Sequence, residues 1–128
     1  MSMDLKYLLF AVLLTFVQVL ISAASANQVV GLTTLAGNRE GMGELTGFAG
    51  RARRAHLNMI ENMVLFTALV LVTAVAGKAN AMTAMGALIF FWARLVYAVI
   101  YLLGVPWLRT LAWFVSVIGM VMIAWQLI

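Results

Sequence analysis

The sequence predicts an all-α integral membrane protein, a bundle of four transmembrane helices in up-down order. Three observations lead there. Of 128 residues, 66% are hydrophobic and only 9% are charged, whereas a soluble domain carries about a quarter charged residues. Four apolar runs approach the ~20 residues that a helix needs to cross a bilayer core. Glycine and proline punctuate the short gaps between the later runs, and short turns join antiparallel neighbours.

The first span covers about residues 5–26. A rival reading takes Lys6, the apolar stretch and Ala24-Ser25-Ala26 as a signal peptide with its cleavage site. Asp4 weakens the basic leader which that reading requires. The second span covers about 50–77. Its apolar part starts near Glu61, and no Gly or Pro in Arg51–Ile60 prevents the helix from starting earlier. Gly77 and Lys78 mark the turn to the third span, about 80–103. Gly104 and Pro106 mark the next turn, with Pro suited to a helix start. The fourth span covers about 107–128, so residues 1–128 form one domain.

The long connection, about residues 27–49, reads as an irregular, solvated loop rich in glycine. Arg39, Arg51, Arg53 and Arg54 lie in or beside it, and Arg109 lies near the last turn. The opposite end has Lys6 and Lys78. The positive-inside rule therefore places this loop in the cytoplasm and both termini outside.

Several functions are disfavoured. With no cysteine and a single histidine, His56, the chain has no thiolate nucleophile, no disulfide framework and no evident metal site. The +4 formal charge clusters in one stretch, which does not suit nucleic-acid binding. Four helices with no broken span or inverted repeat argue against a transporter.

Two polar stripes interrupt the apolar helices. Arg51, Arg54, Asn58 and Glu61 are spaced by three, four and three residues, which puts them on one helical face. Arg94, Tyr97 and Tyr101 form a second stripe on the third span. Ionisable groups at membrane depth are costly; they face the bundle interior, pair, and mark sites. A structural role is open for each residue: a Glu61–Arg94 pair fixing register, Asn58 as an interhelical hydrogen bond, the tyrosines as interfacial anchors. Together, guanidiniums that grip carboxylates, a carboxylate for an ammonium, an amide and two phenols complement a small zwitterion with more than one carboxylate.

The run Arg51-Ala52-Arg53-Arg54-Ala55-His56-Leu57-Asn58-Met59-Ile60-Glu61-Asn62, followed by Phe66, resembles the helix-two signature of the MAPEG family, the membrane-associated proteins in eicosanoid and glutathione metabolism. Ala93-Arg94-Leu95-Val96-Tyr97-Ala98-Val99-Ile100-Tyr101 resembles its helix-three signature. The resemblance, to bacterial-type members, implies a homotrimer in a bacterial inner membrane, with glutathione bound between subunits near the cytoplasmic face. It implies Arg51, Arg54, Asn58, Glu61, Arg94, Tyr97 and Tyr101 as glutathione ligands, with Glu61 taking the γ-glutamyl ammonium. It also implies Arg109 as the catalytic residue beside the thiol, followed by Thr110 where one relative has a serine. The implied activity is a glutathione-dependent transferase or peroxidase acting on a lipophilic co-substrate. The alternative is a non-catalytic protein whose stripes staple the oligomer or bind lipid headgroups. One departure stands out. Ala23 to Thr34 has no basic residue, where eicosanoid-forming members have an arginine; Arg39 is the nearest.

Overall fold

The computed structural model describes residues 1–128, and its only regular secondary structure is helix. Its elements are α1 (Met3–Val30), α2 (Leu32–Ala36), α3 (Gly47–Val75), α4 (Ala81–Leu103) and α5 (Pro106–Leu127). The four long helices have 28, 29, 23 and 22 residues and are apolar enough to cross a membrane. At 1.5 Å per residue they are about 33–44 Å long, more than a ~30 Å hydrocarbon core. The chain is a multi-pass integral membrane protein.

The helix ends follow from local chemistry. Ser2 caps α1, its hydroxyl accepting from the Leu5 N–H at 3.3 Å. Asn80 and Thr83 form a reciprocal capping box at the start of α4, with both bonds at 2.9 Å. Gly104 ends α4 with a left-handed φ of 82°, and its N–H donates to the Ile100 and Tyr101 carbonyls. Pro106 then opens α5.

The long connection departs from the irregular loop read in the sequence. α1 runs on to Val30, and α2 follows after Gly31. Leu32–Ala36 lacks glycine and proline, and Leu35 packs on the small cluster of Ala26, Leu45 and Ala49. That contact, with Leu35 half-buried, gives a five-residue helix tertiary support it lacks alone. Irregular backbone is confined to the glycine-rich stretch between α2 and α3.

The outer surface carries Leu13, Phe16, Leu20, Val64, Leu65, Phe114, Val121 and Trp125 exposed. Such a belt is an aggregation hazard in water and a solvated surface in lipid. Inside, Phe66 of α3 stacks on Phe90 of α4 with ring centroids 3.9 Å apart. Met59, Val70, Ala87 and Ile123 surround them, fully buried. α4 and α5 approach most closely at Gly86 and Gly119. A Cβ on Gly86 would lie 2.5 Å from the Gly119 carbonyl oxygen, so only hydrogen fits. Small residues that let backbones meet are how membrane helices gain packing without a hydrophobic drive. This packing fixes α4, against which α3 also packs.

Candidate functional site

Arg94 is the largest side chain wholly buried in the molecule. It projects from the middle of α4 toward α3, where its Nη2 donates to the Asn58 side-chain oxygen at 2.8 Å. Its Nε approaches the Met59 sulfur at 3.4 Å. The guanidinium lies 4.1 Å from the Tyr97 ring centroid, a cation–π contact within its own helix. Nη1 is buried with no protein partner. Leaving a buried polar group unpaired costs about 1–3 kcal/mol, and more for a charged one. The orphaned donor therefore calls for an acceptor from outside the chain.

Asn58 is held from behind. The Asn62 amide donates to the Asn58 backbone carbonyl at 2.8 Å and to its side-chain oxygen at 3.2 Å. The Asn58 oxygen thus receives donors from two sides and is fixed in place. Asn62 and Met59 belong to this arrangement, though the sequence stripes did not include them. The i, i+4 spacing of Asn58 and Asn62 was the available signal.

A second group lies about two turns along α4, toward the end of the bundle. The Arg54 Nε donates to the Tyr101 phenol oxygen at 3.2 Å. Arg109, half-buried in the first turns of α5, places its guanidinium 4.4 Å from the Tyr101 ring centroid. The Tyr97 and Tyr101 rings are 5.6 Å apart and join the two groups. One path of side chains thus runs from Asn58 through Arg94, Tyr97 and Tyr101 to Arg54 and Arg109.

Three candidates stand apart from that path. Glu61 is exposed on the outer side of α3. Arg94 takes an amide oxygen, not the Glu61 carboxylate, as its hydrogen-bond partner. Arg51 donates from Nε to the Leu102 carbonyl at 3.1 Å, satisfying an acceptor in the last turn of α4. Thr110 is exposed, its hydroxyl turned back to the Pro106 carbonyl at 3.3 Å.

Two spaces adjoin the group. A polar cavity of about 370 Å³ is lined by Arg54, Arg53, Glu44, Gly43 and Gly50. An all-apolar groove of about 460 Å³ lies on the outer face between α4 and α5. Its wall includes Ala93, next to Arg94, and Ala112, which packs with Tyr97 and Tyr101. A charged interior and a greasy outer groove are therefore separated by small side chains.

A family model described as "MAPEG family" matches residues 6–128. No curated protein matches the chain, and no solved structure does.

Proposed function

The chain belongs to the MAPEG family, and we propose that it is a glutathione-dependent transferase or peroxidase acting on lipophilic electrophiles or hydroperoxides. The observation that carries this reading is Arg94, wholly buried, oriented by Asn58 and left with an unpaired Nη1. The donor set fits glutathione. Arg54 and Arg94 supply guanidinium donors for carboxylates, Glu61 offers an anion for the ammonium, and Tyr97 and Tyr101 offer phenols.

Glutathione, when bound, supplies the thiol that this cysteine-free chain lacks. Asn58 and Glu61 would hold the γ-glutamyl end. Arg109 would stabilise negative charge on the sulfur, since a neighbouring cation favours thiolate over thiol and the thiolate is the nucleophile. Tyr101, against which the Arg109 guanidinium rests, would keep that charge in position. The groove beside Ala93 and Ala112 would admit the lipophilic co-substrate from the bilayer.

Glu61 and Arg54 are exposed on the single chain. Charged groups on a membrane helix need cover, so a neighbouring subunit would complete the pocket, in keeping with a homotrimer. By the positive-inside rule, the excess of arginines at the α1–α3 connection supports a cytoplasmic position for it, in keeping with a bacterial inner membrane.

A stapling role is favoured at one position, Arg51, whose hydrogen bond to Leu102 ties α3 to the end of α4. Detergent-purified protein separates the two readings. Glutathione should raise its melting temperature and support turnover of an aromatic electrophile or a lipid hydroperoxide. If neither occurs, the polar stripes are structural.

A further inference from the structure

A second basic site lies on the other side of α3. Arg53 and His56 are rotated by about 150° around the helix from the centre of the Arg51, Arg54, Asn58 and Glu61 face, at 100° per residue. They border a further cavity of about 210 Å³ between α1, α2 and α3, which shares Arg53 with the polar cavity beside Arg54. Arg39, carried by the chain that follows α2, forms a third side of it. Ser22 adds a hydroxyl, and the rest of the wall is small or apolar, including Val19 and Ala23. No carboxylate lines it.

Arg39 reaches this cavity at a cost. It is the one non-glycine residue with positive φ, 62°, a conformation uncommon outside glycine and asparagine. Its Nε donates to the Leu35 carbonyl at 2.9 Å, which anchors the guanidinium against the end of α2. His56 brings a buried Nδ1 with no partner in the protein. Two guanidiniums, an imidazole with an unused nitrogen and a hydroxyl thus line one space whose own wall has no carboxylate, Glu44 lining only the adjoining cavity that Arg53 shares.

We propose that this cavity is a headgroup site for an anionic phospholipid, whose phosphate is held by Arg39, Arg53 and His56. Phosphate oxygens are the complement of paired guanidiniums. Depth favours a lipid over a free anion. A bilayer core takes ~20 helical residues, so the last turns of the 28-residue α1, where Ser22 and Ala26 sit, reach headgroup level. The Val19 and Ala23 side of the cavity continues toward the hydrocarbon and suits the first carbons of an acyl chain. Basic pockets between spanning helices bind acidic headgroups on these grounds.

The test uses the full chain in a mild detergent, with melting temperature and ligand titration as readouts. Dihexanoyl phosphatidic acid should bind saturably and raise the melting temperature. Dihexanoyl phosphatidylcholine and inorganic phosphate at the same concentrations should do so far less. The Arg39→Gln/His56→Gln double variant, which spares Arg53 because it also lines the cavity beside Arg54, should weaken phosphatidic acid binding by about tenfold or more, while glutathione titration of that variant stays as in the parent. Equal shifts from phosphatidylcholine would mean an acyl-chain effect and overturn the proposal. Equal shifts from inorganic phosphate would overturn the lipid assignment. An undiminished phosphatidic acid affinity in the double variant would also overturn it, whatever glutathione does.

Discussion

Asn58 of α3 and Arg94 of α4 are joined by a 2.8 Å hydrogen bond across the helix interface, with Asn62 bracing the amide from its own helix. The bond aligns the two polar stripes. It also fixes the orientation of a guanidinium whose second terminal nitrogen is free for a ligand.

Removing the amide should therefore harm both packing and binding. Asn58→Ala leaves another buried nitrogen of Arg94 without an acceptor, a cost of about 1–3 kcal/mol. The expected result is a lower melting temperature and loss of glutathione binding, measured on the detergent-purified protein. Arg94→Met, which removes the buried charge altogether, should recover much of the melting temperature and none of the binding.

Asn62 acts through Asn58. Asn62→Leu should leave the fold intact and weaken glutathione binding several-fold, by about 1 kcal/mol, the worth of an ordinary hydrogen bond. A titration that shows parental affinity would remove Asn62 from the account.

Arg109 tests the chemistry apart from the binding. Arg109→Ala should lower kcat by about tenfold or more, through loss of thiolate stabilisation, with little change in glutathione Kd. Arg109→Lys should retain part of the rate. Conjugation and peroxidase assays on the two variants read this directly, and unchanged rates in Arg109→Ala would exclude the role.

The α4–α5 seam should not tolerate a side chain at its closest point. Gly86→Val places carbon against the Gly119 carbonyl and Ile123. Overpacking of this kind costs about 1–3 kcal/mol. Thermal unfolding should show it, with Gly77→Ala, where the space is open, as the comparison for a backbone effect alone.

Membrane orientation is open to a reporter. An alkaline phosphatase fused after Ile128 should be active, and a fluorescent protein that matures only in the cytoplasm should be dark. The reverse pattern would put the arginine-rich connection outside.

The bundle was legible in the sequence because lipid-spanning helices need long apolar runs, and Gly77, Gly104 and Pro106 punctuate them at the turns. Periodicity also aligned Asn58 with Arg54 and Tyr97 with Arg94 on shared faces. It could not say which partner each group takes. A pairing of Glu61 with Arg94 is attractive by charge, yet Asn58 is what the structure sets against the guanidinium. Arg51 fits the stripe by spacing but turns to the carbonyl of Leu102, because α4 ends beside it. The short helix α2 escaped notice because a five-residue segment has no periodicity to read, and the contact of half-buried Leu35 with distant parts of the chain stabilises it. The cavity at Arg39 and His56 was hidden for the same reason: its walls come from three elements separated in sequence.

The central claim is that the α3 and α4 stripes form one pocket for glutathione. Isothermal titration of glutathione into the detergent-purified protein, with Glu61→Gln alongside, is the direct test. Saturable heat is expected from the parent protein and its loss in Glu61→Gln, with the same particle size in both. Absence of heat from the parent, or an equal isotherm from Glu61→Gln, would contradict it.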